Sequence, residues 1–139
     1  MSSKNIRVFV VEDHPSTARA LKDFLGGAGF GVEVAMDMAS ALELAGKISF
    51  DVLVCDLNLP DGTGWDLLAE LRKRGPVRGI AFSAFDEPQY VARSEAAGFL
   101  EYFVKGRPPQ DLLTAIKRAA AAALPPLENK GLARESMER

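Results

Sequence analysis

The chain has 139 residues, of which 47% are hydrophobic and 26% are charged, and its formal net charge is −2. This length suits one compact domain, and the near-neutral charge argues against a nucleic-acid-binding surface. The single cysteine excludes an internal disulfide framework, and the sequence has neither an apolar run of about 20 residues nor the apolar core of a signal peptide, so we expect a cytoplasmic protein without membrane contact.

Five short apolar runs are rich in β-branched residues or phenylalanine, which is typical of strands. The first and third runs lack polar alternation, as expected of strands that are covered on both faces. In chain order, the predicted strands are Ile6–Val11, Val32–Ala35, Val52–Cys55, Ile80–Phe82 and Leu100–Val104.

Apolar residues at helical spacing fill the interval after each strand. Glycine and proline mark most of the predicted helix ends, and Asp37 is a candidate cap of the second helix. The first predicted helix ends at Gly26-Gly27, the second runs from Met38 to Gly46, and the third stops near Gly75-Pro76. The fourth runs from Pro88 to Ala97, and the fifth runs from Pro108-Pro109 through Ala119–Ala123.

The β-α order, repeated five times, predicts an α/β fold in which helices cover both faces of a parallel sheet. Ligands of such sheets bind beyond the carboxyl ends of the strands. Glu12-Asp13 and Asp56 follow two of the predicted strands at these ends, and Ser83 and Lys105 follow two others. We therefore expect these side chains to share one site.

Paired acidic strand ends suit a hard cation such as Mg²⁺, which prefers carboxylate oxygens and water. A carboxylate beside such a cation can attack a phosphoryl group and hold it as an acyl phosphate. Glu12-Asp13 alone would equally fit a helix cap, and Ser83 or Lys105 alone would indicate only a turn or solvated surface. Their combination with Asp56 favours a phosphoryl-binding site.

With these residues in this order, the segment from Ile6 to Ala123 resembles the receiver domain of two-component response regulators. The resemblance implies a flavodoxin-like (βα)5 fold with strand order 2-1-3-4-5, and a receiver domain over residues 1–124. It also implies a phosphoprotein switch that depends on Mg²⁺ or Mn²⁺. The implied partners are a histidine kinase or histidine phosphotransfer protein and an unidentified downstream protein, with no direct contact with nucleic acid.

The resemblance assigns a role to each strand-end residue. Asp56 matches the phospho-accepting aspartate, Lys105 the lysine that pairs with the phosphoryl oxygens, and Ser83 the hydroxyl that contacts them. Tyr102 matches the aromatic switch residue, which together with Ser83 would change position on phosphorylation.

The resemblance also implies a set of metal ligands. Asp13 and Asp56 match the carboxylates that bind the cation, assisted by Glu12. Asn58 matches the position whose backbone carbonyl completes the metal shell, and its side chain would face the site.

Three residues near these positions have other expected roles. Gly106 follows Lys105 where the family usually has a proline with a cis bond, and we expect a trans bond here because a non-proline cis bond costs about 3 kcal/mol. His14 is interpreted as a helix-start residue rather than a site residue. Cys55 is expected to be buried and to point away from the site, because side chains alternate along a strand.

Two other classes of protein were weighed. A small phosphohydrolase with Asp56 as nucleophile usually has a second aspartate two residues later, and Asn58 cannot act as an acid or base there. A nucleotide- or flavin-binding protein is disfavoured because the loop Glu12-Asp-His-Pro15 is acidic and lacks glycine. We therefore expect a signalling receiver, not an enzyme with an external substrate.

Residues 125–139 are polar and charged and are interpreted as a tail that is too short for a DNA-binding module of about 60 residues. Output is therefore expected through protein–protein contact, with a phosphorylation-dependent homodimer left open. Charged residues on the face of the fourth helix, fifth strand and fifth helix suit either a dimer or, with greater weight, a solvated surface. They are Glu95, Glu101, Lys117 and Arg118. A receiver fragment of a longer hybrid kinase or transcription factor is the remaining alternative.

Overall fold

The structure is a computed structural model, and it describes residues 5–123. This part of the chain contains seven strands and five helices. The strands are β1 Arg7–Val11, β2 Gly31–Ala35, β3 Val52–Asp56, β4 Asn58–Leu59, β5 Gly62–Thr63, β6 Gly79–Ser83 and β7 Glu101–Val104. The helices are α1 Pro15–Gly27, α2 Met38–Ala45, α3 Gly64–Arg72, α4 Pro88–Ala97 and α5 Pro109–Ala121.

Five of the strands form one parallel sheet in the order β2-β1-β3-β6-β7. Numbered along the chain without the two short strands, this is the order 2-1-3-4-5. The predicted fold class is therefore confirmed. The predicted tail, residues 125–139, lies outside the described residues.

Two apolar clusters sandwich the sheet. Val10, Val54 and Phe82 on one face pack with residues of α1 and α5. Phe9 and Leu53 on the other face pack with residues of α2 and α3. Because helices cover both faces, β3 and β6 are buried at every position, which explains why both lack polar residues up to their last positions, Asp56 and Ser83.

Most of the helix ends coincide with the signals in the sequence. The Asp37 side chain accepts a hydrogen bond from the Ser40 N–H and so caps α2. Gly98 ends α4 in the left-handed region at φ 111°, a conformation that glycine adopts without strain. Within residues 5–123, no helix is both long and apolar enough to cross a bilayer.

The hairpin of β4 and β5 was not predicted from the sequence. It pairs Asn58–Leu59 with Gly62–Thr63 and connects β3 directly to α3. Asp61 lies at its turn, and its carboxylate accepts hydrogen bonds from Met38 N–H at 2.7 Å and Ala39 N–H at 3.0 Å. The hairpin is thereby fastened to the N-terminus of α2.

Candidate functional site

The register of the sheet brings the predicted site residues to one edge. Val11 pairs with Cys55, so Glu12 and Asp56 follow at the same level on neighbouring strands. Ser83 pairs with Val104, and the Lys105 N–H donates to the Ser83 carbonyl at 2.7 Å. Four carboxyl ends of parallel strands thus converge as the β-α pattern predicts.

Lys105 bridges the two buried carboxylates of the site. Its Nζ lies 3.1 Å from Asp56 Oδ2 and 2.9 Å from Glu12 Oε1. Glu12 is fully buried, and Asp56 is 6% exposed. The ammonium also lies 5.1 Å from the centre of the Phe82 ring, a contact that favours its position over the sheet edge.

Burial sets the ionisation of the Asp56 carboxyl. Loss of solvent raises its pKa, and the neighbouring Glu12 carboxylate adds to the rise, although the Asn58 N–H and Lys105 act in the opposite direction. Burial alone would lower the pKa of Lys105, but its ion pairs with Glu12 and Asp56 outweigh burial and raise it. Lys105 therefore stays positively charged beside the two carboxyl groups.

An acidic cluster continues from β1 into α1. One carboxylate oxygen from Glu12, one from Asp13 and a ring nitrogen of His14 all lie within 4.8 Å of one another. His14 is the N-cap residue of α1, as predicted, but its side chain makes no capping hydrogen bond. Its Nδ1 instead lies 3.5 Å from Glu12 Oε2 and 3.8 Å from Asp13 Oδ1.

The chemistry of this donor set fits a divalent cation. Three carboxylates, those of Glu12, Asp13 and Asp56, stand against the one ammonium of Lys105. The site is thus left with an excess of negative charge, and oxygen ligands of this type are those that Mg²⁺ and Mn²⁺ prefer.

Asn58 contacts Asp56 through its backbone. Its N–H donates to Asp56 Oδ1 at 3.0 Å, while the residue itself is exposed. One carboxylate oxygen of Asp56 is thereby held by a backbone N–H, and the other faces Lys105.

Ser83 and Tyr102 meet at the loop between β6 and α4. Ser83 is 1% exposed, and its Oγ accepts a hydrogen bond from the Phe85 N–H at 3.0 Å. The Tyr102 hydroxyl donates to the Phe85 carbonyl at 2.6 Å. Both residues that the family resemblance singled out as switch positions therefore bind the same residue of this loop.

Two other expectations from the sequence concern residues near the site. Cys55 is fully buried among the apolar residues on the α2–α3 face, and burial, with Asp56 and Glu12, raises the pKa of its thiol. The Lys105–Gly106 bond is trans, because residues 5–123 contain no cis peptide bond. Both expectations are confirmed, and Gly106 takes φ 99° in the loop before α5.

The charged face of α4, β7 and α5 contains an ion pair within the chain. Arg118 Nη2 donates to Glu101 Oε1 at 2.8 Å. This contact raises the pKa of the Arg118 guanidinium and occupies two of the four charged residues that were considered for a dimer contact.

Sequence reasoning missed two features around the site. Gly64 must be a glycine, because a Cβ there would lie 2.5 Å from the Asp56 carbonyl oxygen. Without knowledge of the hairpin, the positions of Asp56 and Gly64 in the sequence do not indicate that their backbones lie this close together. The second feature is a stack of Phe85, Tyr90 and Trp65, whose rings are too far apart in the sequence to suggest contact.

The sequence matches the protein family described as the response regulator receiver domain over residues 8–117. Sensor histidine kinase RcsC of Salmonella typhimurium is 34% identical over 89 residues, which are 62% of this chain and 9% of that protein. The nitrate/nitrite response regulator protein NarP of Escherichia coli is 35% identical over 118 residues, or 82% of this chain and 54% of that protein. The chain thus spans at most about half the length of these curated relatives.

The fold is also similar to solved structures. The response regulator protein TrrA of Thermotoga maritima, in complex with Mg²⁺-BeF, superposes with a TM-score of 0.74 at 25% identity. The alignment covers 82% of this chain and 98% of that chain.

Proposed function

The chain belongs to the response regulator receiver domain family, and from this we propose that Asp56 carries the phosphoryl group of a Mg²⁺- or Mn²⁺-dependent switch. The observation that supports this best is the contact between Asp56 Oδ2 and Lys105 Nζ at 3.1 Å. It places a permanent positive charge where the negative charge of a phosphoryl group would appear.

The proposed reaction is transfer from a phosphohistidine of a kinase or phosphotransfer protein. An Asp56 carboxylate oxygen forms a bond to phosphorus, and the bond between phosphorus and the donor's imidazole nitrogen breaks. The imidazole keeps the electron pair, and Lys105 stabilises the charge on the phosphoryl oxygens. The chain's own chemistry would be limited to gaining this group and losing it to water.

The acidic residues would hold the cation. Glu12, Asp13 and Asp56, with the backbone carbonyl of Asn58, are the proposed ligands. When bound, the cation would neutralise part of the charge on the phosphoryl oxygens and reduce the repulsion between the carboxylates.

Ser83 and Tyr102 are the proposed readout residues. A phosphoryl group on Asp56 would offer oxygens to the Ser83 hydroxyl, which now accepts from the Phe85 N–H. Movement of Ser83 would release or shift the loop that contains Phe85, and the Tyr102 hydroxyl donates to the Phe85 carbonyl in the same loop. The face of α4, β7 and α5 would then change for a downstream protein or a second copy of the chain.

The donor is proposed to dock beside α1. A shallow groove between α1 and the start of α5 opens next to the acidic cluster, and most of its lining is apolar. It is lined by Ser16, Thr17, Ala20, Leu21, Phe24 and Pro109. A protein that brings its histidine to Asp56 has to cover the loops at this end of the sheet, and this groove offers it an apolar surface beside α1.

The test is phosphorylation of the purified chain by acetyl phosphate, read by intact mass and peptide mapping. We expect one phosphoryl group on Asp56, none when Mg²⁺ is removed with EDTA, and none in Asp56→Asn. Asp66→Asn, which changes an exposed aspartate of α3, is the matched control and should react normally. Full phosphorylation of Asp56→Asn would refute the assignment, and steady turnover of an added phosphate ester would favour an enzyme.

A further inference from the structure

Three aromatic rings form a continuous stack between the Ser83 loop and the surface of α3. Phe85 stacks on Tyr90, with ring centres 4.9 Å apart and an interplanar angle of 16°. Tyr90 in turn stacks on Trp65, at 6.0 Å and 11°. The guanidinium of Arg93 covers Trp65 at 3.9 Å, so the stack ends at an exposed charge.

The far end of the stack is tied to α4 by hydrogen bonds. The Trp65 indole N–H donates to Ser94 Oγ at 2.9 Å, and the Ser94 hydroxyl donates to the Tyr90 carbonyl at 2.8 Å. Ser94 is 1% exposed. The position of Trp65 is therefore coupled to Tyr90 through both ring contact and a buried hydroxyl.

The near end of the stack begins at the proposed readout residue. Phe85 is two residues after Ser83, and its N–H is held by Ser83 Oγ at 3.0 Å. Phe85 is one of the two large hydrophobic residues that are exposed within residues 5–123, with 36% of its surface accessible. Its ring therefore lies at the surface and belongs to neither of the two buried apolar clusters.

We propose that Phe85, Tyr90 and Trp65 form a relay that carries the phosphorylation state of Asp56 to the surface between α3 and α4. The proposal rests on the proposed function, since it requires Ser83 to respond to a phosphoryl group. If the Ser83 hydroxyl turns toward that group, its hydrogen bond to the Phe85 N–H lengthens or breaks. The Phe85 ring then shifts against Tyr90, and Trp65 and Arg93 adjust in turn.

The relay is distinct from the route through Tyr102. Tyr102 binds the Phe85 carbonyl and belongs to β7, whereas the stack leaves the same loop in the direction of α3. The same residue, Phe85, would thus pass the signal to two surfaces of the domain.

The single tryptophan makes the proposal directly testable. In the full ¹⁵N-labelled chain, Trp65 gives the one indole N–H resonance, and its chemical shift is recorded before and after phosphorylation. We expect the resonance to move when Asp56 is phosphorylated. In Tyr90→Leu the movement should be at least halved, while Tyr90→Phe, which keeps the ring, should retain it. Phe85→Leu breaks the stack at its other end and should act like Tyr90→Leu.

The matched control is Phe50→Leu. Phe50 pairs with Phe9 at 5.2 Å and has no ring contact with the Phe85–Tyr90–Trp65 stack, so the same chemical change there should leave the movement of the indole resonance intact. Intact mass on every sample shows how much of it is phosphorylated. Absence of the phosphoryl adduct in the wild type would refute the proposed function and the relay together. A full adduct with an unmoved indole resonance, or equal movement in Tyr90→Leu and the wild type, would refute the relay alone.

Discussion

The Lys105 ammonium lies between two buried carboxylates and contacts Asp56 at 3.1 Å. Lys105 follows β7 and Asp56 ends β3, and these two strands are not neighbours in the sheet. The second carboxylate, Glu12, is fully buried and lies 2.9 Å from the same nitrogen. Removal of the ammonium would leave two negative charges facing each other with little solvent. The residue proposed to stabilise the phosphoryl group should therefore also stabilise the unphosphorylated fold.

Lys105→Met tests this dual role. Without the ammonium, the buried Glu12 carboxylate has no close cationic partner. With EDTA present to remove divalent cations, we therefore expect the free energy of unfolding to fall by about 2–3 kcal/mol. The estimate lies at or below the low end of the range of about 3–5 kcal/mol for a fully buried pair, because the Lys105 side chain is still 24% exposed. Urea unfolding provides the measurement, and phosphorylation by acetyl phosphate should slow in parallel.

Lys47→Met is the control for Lys105→Met, because Lys47 pairs with Glu43 at 3.5 Å in a fully solvated setting. Its effect should stay within about 0.5 kcal/mol. Equal losses in the two variants would mean that the buried carboxylates do not depend on Lys105.

Gly64→Ala should destabilise the chain although it adds only one methyl group. The new Cβ would meet the Asp56 carbonyl oxygen at 2.5 Å and Leu57 Cα at 3.0 Å, and both are backbone atoms, one at the end of β3 and one in the residue that follows it. We expect a loss of about 2–3 kcal/mol in urea unfolding, together with slower phosphorylation, because Asp56 itself must shift.

The matched control for Gly64→Ala is Gly26→Ala. Gly26 lies within α1, and a Cβ there would meet no atom within 4 Å. Alanine should then stabilise the helix by about 0.5–1 kcal/mol. A loss of stability in both variants would mean that replacing a helical glycine is destabilising in general, and that the close approach to Asp56 is not the cause.

The predictable part of this molecule is the part that short-range patterns encode. The order of the main elements follows from their apolar runs, and residues such as Asp37 and Gly98 mark where helices begin or end. Because the carboxyl ends of parallel strands meet at one edge of a sheet, the residues that follow the strands are then expected to share one site. The hairpin and the Phe85–Tyr90–Trp65 stack depend on contacts between distant segments. A two-residue strand such as Asn58–Leu59 has too little sequence to show a period, so no local pattern reveals it.

Asp61 should make the stability of the domain depend on pH. Hydrogen bonds from the Met38 and Ala39 N–H groups hold the pKa of the Asp61 carboxyl below its usual range. A lowered folded-state pKa means that the stabilisation is present above the unfolded pKa and is lost as pH falls through the folded pKa. Asp61→Asn should therefore lower Tm at neutral pH, and the gap to the wild type should close in acid.

Thermal unfolding of both proteins from neutral to acidic pH measures this gap. Asp23→Asn, at an exposed position of α1, serves as the matched control. A difference in Tm that does not change with pH would mean that the contribution of Asp61 to stability does not depend on the charge of its carboxylate.

The groove beside α1 should matter for protein donors but not for small ones. Ala20 is exposed and lines this groove, and Ala20→Glu would place a charge and a longer side chain where an apolar partner surface has to pack. Unpaired burial of a charge at an interface is costly, so transfer from a phosphorylated histidine kinase should slow about ten-fold or more. Acetyl phosphate needs no such surface, and its reaction with Asp56 should stay unchanged. Ala69→Glu makes the same substitution at an exposed position of α3 and should affect neither donor. Equal slowing of the kinase reaction by both variants would place the kinase contact elsewhere. Slowing with acetyl phosphate as well would mean that Ala20→Glu disturbs the Asp56 site itself, and the groove would lose its support as a docking surface.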